Sequence, residues 1–196
     1  TGPNGGGKTT LFTLISGLLG PHAGTIVFDG GDITGWRPQA IARRGLVRTF
    51  QLPSVFGRMT VLENLEVVGG HDSRSRALEL LERARLGDCR HEYAGDLSYG
   101  QQKLVDIVRA LMLNPRLILL DEPAAGLGRT EQERLFAFLG ELQAAGCAFL
   151  VIEHQVHLVR DYASRVIVLN FGQKLAEGSY AEIRADERGL DLSCGH

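Results

Sequence analysis

Thr1-Gly2-Pro3-Asn4-Gly5-Gly6-Gly7-Lys8-Thr9-Thr10 stands at the head of the chain, and its reading decides the fold. Gly2, Gly7, Lys8 and Thr9 fill the pattern G-x-x-x-x-G-K-[ST], with Pro3, Asn4, Gly5 and Gly6 between them and Thr10 behind. Glycines let backbone N–H groups turn inward and approach phosphate oxygens with no Cβ in the way. The apolar run from Leu11 to Leu19 reads as the helix that such a loop feeds. A helix N-terminus adds partial positive charge there. Lys8 is then the residue that reaches β- and γ-phosphates, and Thr9 offers a hydroxyl to Mg²⁺. A buried strand ordinarily delivers the chain into such a loop. Nothing precedes Thr1, so those leading strands are expected to be absent.

Outward from the loop, short apolar stretches alternate with amphipathic ones. Thr25-Ile26-Val27-Phe28 reads as a strand closed by the turn Asp29-Gly30-Gly31, and Leu46-Val47-Arg48-Thr49-Phe50 as a second β-like stretch. From Thr60 to Leu86 the pattern becomes helical. Leu104, Ile107, Val108 and Leu111 line one face of a helix expected over 98–113, stopped by Asn114-Pro115. Leu117-Ile118-Leu119-Leu120 is a continuous apolar run, as a strand buried on both faces of a parallel sheet requires. A helix carrying Leu135, Phe138, Leu139 and Leu142 ends at Gly146, and further buried strands are expected at 148–152 and 165–170. Such strand–helix alternation specifies an α/β core.

Composition narrows the function classes. The 196 residues suffice for one domain, or for a core with a small inserted subdomain. A net charge of −2 gives no electrostatic reason to expect a nucleic-acid partner. The longest apolar stretches, near Leu117–Leu120 and Cys147–Ile152, are strand-sized and too short to span a bilayer. Cys89, Cys147 and Cys194 lack C-x-x-C spacing, which argues against a zinc site or disulfide framework and suits a reducing cytoplasm.

Asp121-Glu122-Pro123 places two carboxylates at the C-terminal end of the run Leu117–Leu120, the edge at which open parallel sheets bind ligands. An Asp there can hold a Mg²⁺ shell, and the adjacent Glu can polarise a water for attack on a γ-phosphate. A solvated turn is the alternative for these residues alone. Leu97-Ser98-Tyr99-Gly100-Gln101-Gln102 precedes the helix over 98–113. Ser98 and Gln101 form an S-x-x-Q capping box, which any helix start can carry.

Taken in order, these segments resemble the ATP-binding-cassette family. Gly2–Thr9 matches its phosphate loop, Phe50-Gln51 its Q-loop and Ser98-Tyr99-Gly100-Gln101 its signature. Asp121-Glu122 resembles the Walker B aspartate with the catalytic glutamate, and His154 the switch histidine. Within the family, Ile41–Gln51, Met59–Leu65, Tyr99 of the signature, Glu122–Leu127 and Val151–His154 resemble the ATPases of branched-chain amino-acid importers. Ile167–Gln173 and Ala176–Gly178 do so too. The likeness is to the first of the two paired ATP-binding subunits. Systems for urea, short amides or lipopolysaccharide share part of this pattern, and a soluble non-transport cassette ATPase is a further alternative.

The resemblance implies a P-loop NTPase (RecA-like) α/β core with a mostly parallel sheet over 1–50 and 114–196. An α-helical signature subdomain is inserted over 51–113. It implies ATP and Mg²⁺ as ligands, with Gly2–Thr10 cradling the phosphates and Thr9, Gln51 and Asp121 at the metal. By the same resemblance Glu122, His154 and Gln51 would carry the catalysis, and Ser98, Gly100 and Gln101 of one subunit would face the γ-phosphate held by another. The implied partners are a second ATP-binding subunit, transmembrane permease subunits met by the loop from Gln51 to Arg58, and a periplasmic or extracellular solute-binding protein. The implied location is peripheral, on the cytoplasmic face of the cell membrane. Departures from the family pattern are the absent adenine-stacking aromatic, Gly128 where Asp or Asn is common, a shorter stretch over 69–96, and the tail Asp191–His196.

Overall fold

The structure is a computed structural model that describes residues 6–70 and 72–185. Its elements in chain order are α1 (Lys8–Ile15), β1 (Val27–Phe28), β2 (Gly31–Asp32), α2 (Pro38–Arg43), β3 (Leu46–Arg48), α3 (Val61–Gly69) and α4 (Arg74–Arg83). A 3₁₀ turn over Ala94–Asp96 precedes α5 (Tyr99–Leu111), β4 (Leu117–Asp121), α6 (Arg129–Ala144) and β5 (Ala148–Ile152). Then come α7 (Val156–Tyr162), β6 (Val166–Asn170), β7 (Gln173–Gly178) and α8 (Tyr180–Ala185). They group into two compact units, one of residues up to Gly35 together with those from Val151 onward, the other Trp36–Leu150.

In the first unit α1 starts at the loop glycines but is shorter than the apolar run that announces it. It ends at Ile15, where Gly17 takes φ +73°. The Gly17 N–H donates to the Leu14 carbonyl at 3.1 Å and the Leu18 N–H to Thr13 at 3.0 Å. This double closure satisfies the last carbonyls and leaves Leu18 and Leu19 exposed rather than helical. The stretch expected as one strand at 25–28 is a short antiparallel hairpin, Val27↔Asp32 and Phe28↔Gly31. β6 likewise pairs antiparallel with β7, from Val166↔Gly178 to Asn170↔Gln173, instead of extending a parallel sheet. Its two-residue turn, Phe171-Gly172, has φ +45° and +77°, the left-handed pair that matches strand twist in tight hairpins. Val166, Val168 and Ile183 form the core beneath it.

The second unit holds β3, β4 and the first three residues of β5, and the strands pair in the order β3-β4-β5. β3 and β4 are parallel, with Leu46↔Leu117, Val47↔Ile118 and Arg48↔Leu119 in register. Ile118, Leu119 and Leu120 are fully buried, as a continuous apolar run at the centre of a sheet demands. β5 departs from its expected burial. It is the edge strand of this sheet, Ala148 is exposed, and only Ile152 is buried. The helical stretch from Thr60 onward is two helices, because Gly70 at φ +81° breaks it. Thr60 and Glu63 form a reciprocal capping box at the start of α3. Buried Asn64 then fastens the preceding loop: it accepts from the Phe56 N–H at 2.8 Å and donates to the carbonyls of Phe56 and Thr60 at 3.0 and 2.9 Å.

Candidate nucleotide site

In the first unit Gly7 is the N-cap of α1 at φ +88°. A Cβ on Gly7 would stand 3.1 Å from the Gly172 Cα, and the Gly172 N–H donates to the Gly6 carbonyl at 3.1 Å. Only glycine fits both that φ and that approach. Lys8 is buried in the first turn of α1, whereas Thr9 and Thr10 are exposed. Gly2, Pro3, Asn4 and Gly5 lie outside the described residues. His154 is half-buried in the segment between β5 and α7. Its N–H donates to Oε1 of Glu153 at 3.0 Å, and that oxygen also accepts from the Gln155 N–H at 3.3 Å. Glu153 is buried, and through Oε1 this carboxylate, which the sequence did not single out, braces the histidine segment, while among the described residues its Oε2 has no hydrogen-bond partner.

In the second unit the end of β4 brings three of the expected residues together. Asp121 is buried and Glu122 follows it at φ +48°, a left-handed conformation rare for a residue with a Cβ. Gln51, 71 positions earlier, donates through Nε2 to Oε2 of Glu122 at 3.0 Å. The parallel pairing of β3 with β4 explains the meeting. It sets the chain after β3 beside the chain after β4, and the Thr49 N–H extends the ladder to Leu119 at 3.0 Å. Arg48, missed in the sequence, donates through Nη2 to Oδ2 of Asp121 at 3.1 Å, with side-chain exposures of 8% and 10%. Its guanidinium also sits 5.3 Å from the Phe50 ring centroid. No local pattern marks Arg48, because its partner is 73 positions away.

Ser98 caps α5 as its S-x-x-Q spacing requires. Its hydroxyl accepts from the Gln101 N–H at 3.3 Å, and the Gln101 Oε1 accepts from the Ser98 N–H at 3.0 Å. Gly100 is buried against Glu131 and Leu127. Gly128, where the family pattern has a longer side chain, caps α6, and its N–H is taken by Oε2 of Glu131 at 2.9 Å. A second group the sequence missed ties α5 to the loop after Gln51. The Ser54 hydroxyl donates to Asp106 at 2.8 Å, and Arg109 donates to the Ser54 carbonyl at 2.6 Å. Burial pushes the Asp106 carboxyl above its ordinary range, with Ser54 and Arg109 pulling it back.

The donor chemistry suits Mg²⁺. Among the described residues no group of three or more His, Cys, Asp or Glu could hold a metal ion by itself. Mg²⁺ needs none, since it is bound through one or two carboxylates plus substrate phosphates. Asp121 would supply such a carboxylate, and the Gln51 amide could offer a second kind of oxygen. No helix among the described residues is long and apolar enough to cross a membrane.

Comparison with known proteins gives consistent findings. Residues 1–125 match the family described as ABC transporter. A relative in Methanocaldococcus jannaschii, named a probable branched-chain amino acid transport ATP-binding protein LivG, is 39% identical and covers 99% of this chain and 84% of its own length. A crystal structure of the ADP conformation of an ATP-binding cassette of an ABC transporter superposes with a TM-score of 0.90 at 36% identity, covering 100% of this chain and 86% of that one. A dimeric post-hydrolysis ATP-binding cassette bound to ADP and Pi superposes with a TM-score of 0.79 at 30% identity, over 91% of this chain and 82% of that one.

Proposed function

This chain belongs to the ABC transporter family, and from that premise we propose that it is the ATP-binding and ATP-hydrolysing subunit of an importer for branched-chain amino acids. The observation that carries the ATP chemistry is the arrangement at the end of β4. A buried Asp121 is neutralised by Arg48, and Glu122 is oriented by a hydrogen bond from Gln51. The solute class rests on the name of the 39% identical relative.

The roles follow from the chemistry of each group. Gly6, Gly7, Lys8, Thr9 and Thr10, with Gly2, Asn4 and Gly5 before them, receive the phosphates through backbone N–H groups, the start of α1 and the lysine charge, while Pro3, which has no N–H, carries the chain between donors. Thr9, Gln51 and Asp121 would hold Mg²⁺, which when bound neutralises developing phosphate charge. Glu122 takes the proton of the attacking water, as a general base placed by its hydrogen bond. Gln51 orients that water, and His154 donates a hydrogen bond to the γ-phosphate. Ser98, Gly100 and Gln101 serve the nucleotide of a second ATP-binding subunit in a head-to-tail pair. A solved cassette that is dimeric with ADP and Pi bound supports the pairing of two such subunits. In this reading 1–50 and 114–196 are the catalytic core and 51–113 the signature subdomain.

Exposed Phe50, Leu52 and Phe56, beside Gln51, support docking of the permease subunits on the loop from Gln51 to Arg58. The ATPase then lies peripherally on the cytoplasmic face of the membrane, and a solute-binding protein serves the other side. Glu122→Gln tests the assignment. It should keep ATP binding and lose about 10²–10⁴ in turnover, the usual contribution of one placed base. Wild-type hydrolysis by this variant under saturating Mg-ATP would sink the reading.

A further inference from the structure

Lys103 is a buried charge that the roles above do not use. It lies on α5, five positions after Ser98, and is 6% exposed. A lysine with no task keeps its ammonium in water, since burying that charge is costly unless all of its donors are met. Here Nζ donates to three carbonyls, those of Glu122 at 3.2 Å, Pro123 at 3.1 Å and Ala125 at 2.8 Å. It also lies 5.1 Å from the Tyr99 ring centroid. Three converging carbonyls within four consecutive residues match the three donors of an ammonium.

The turn so gathered begins at Glu122. Its carbonyl also accepts from the Ala125 N–H at 3.1 Å, and its φ of +48° is a conformation that persists only where the surroundings over-determine it. Other contacts clasp the same turn to α5. A Cβ on Gly126 would come within 3.0 Å of the Tyr99 ring. Gly100 packs on Glu131, the residue that accepts the Gly128 N–H.

We propose that Lys103 is a positioning residue for ATP hydrolysis: by holding the carbonyls of Glu122, Pro123 and Ala125 it fixes the backbone from which the Glu122 side chain projects. Because it stands on the helix that Ser98 caps, it also ties Glu122 to the signature segment of the same chain. The inference rests on the assignment of Glu122 as the base. A misplacement of a catalytic group by about 1 Å can cost roughly a hundredfold in rate.

Steady-state ATP hydrolysis by the full chain with Mg-ATP provides the test. Lys103→Met should lower kcat roughly tenfold to a hundredfold while the KM for ATP moves by less than about threefold. Lys103→Arg, which keeps charge and donors, should return kcat to within about threefold of wild type. In a Glu122→Gln background Lys103→Met should cause no further loss, because it acts through the missing carboxylate. Should Lys103→Met fail to fold, Lys103→Gln takes its place, and a lowered kcat at unchanged KM is again the expected result. A folded Met or Gln variant with wild-type kcat, or losses that add to those of Glu122→Gln, overturns the proposal and leaves the ATPase reading standing. Undiminished turnover in Glu122→Gln overturns that reading itself.

Discussion

Arg48→Met isolates the electrostatics of the strand-end carboxylate. Methionine keeps much of the arginine stem's volume but removes the only charge that the structure sets in ion-pair contact with Asp121 among the described residues. The two side chains are 8% and 10% exposed, so solvent cannot take over the arginine's part. Removing one partner of a buried pair typically costs about 3–5 kcal/mol, chiefly because the other charge is left uncompensated. The contact is a single hydrogen bond at 3.1 Å rather than a bidentate fork, which argues for the lower end, about 3 kcal/mol. For a chain of this size each kcal/mol moves the melting point by about 2–4 °C, so a fall of about 6–12 °C is expected. Circular-dichroism melts of the nucleotide-free protein measure it. On the proposed role of Asp121, Mg-ATP should then recover part of the loss, because a cation there would replace the missing charge and ligand binding to the folded state adds its own stabilisation. A nucleotide-free melt within about 1 °C of wild type would refute the claim that Asp121 depends on Arg48.

Three other perturbations have definite outcomes. Burial raises the Asp106 carboxyl in the folded chain, so the folded state binds that proton more tightly than the unfolded state. Its contribution to stability is therefore full below the ordinary aspartate range and is lost as pH rises through the raised value. Asp106→Asn should flatten that decline, and identical slopes of urea midpoint against pH in both proteins would contradict it. Gly126→Ala must adopt φ +76° and displace the Tyr99 ring. The backbone alone should cost about 1–2 kcal/mol, and an unchanged urea midpoint would count against it. Lys8→Ala should weaken ATP binding at least about tenfold, or roughly 1.4 kcal/mol, in a direct calorimetric titration. An unchanged dissociation constant would remove Lys8 from the phosphate site.

Much of this protein is written locally. The glycines and lysine of the loop, the Ser98–Gln101 capping box and the apolar run of β4 depend on neighbours within a few positions. Spacing alone specifies that a helix follows the loop, the cap at Ser98 and the strand that leads into Asp121-Glu122. Helix ends were legible only in part. Gly17 and Gly70 set them through left-handed backbone, and an apolar run that crosses a glycine hides the break. Strand partners were not legible, because apolar alternation says that Val166–Asn170 is a strand but not which strand it pairs with. The tight turn at Phe171-Gly172 decided that. The contacts that tune the site join residues with no sequence relation: Arg48 with Asp121, Gln51 with Glu122, and Lys103 with the turn that follows Glu122. A single sequence carries which groups can do chemistry, because residue type and local spacing encode that. Which carboxylate is neutralised, which is aimed and which backbone is clamped are set by contacts between segments 19 to 73 positions apart, and those exist only once the sheet has brought its strand ends together.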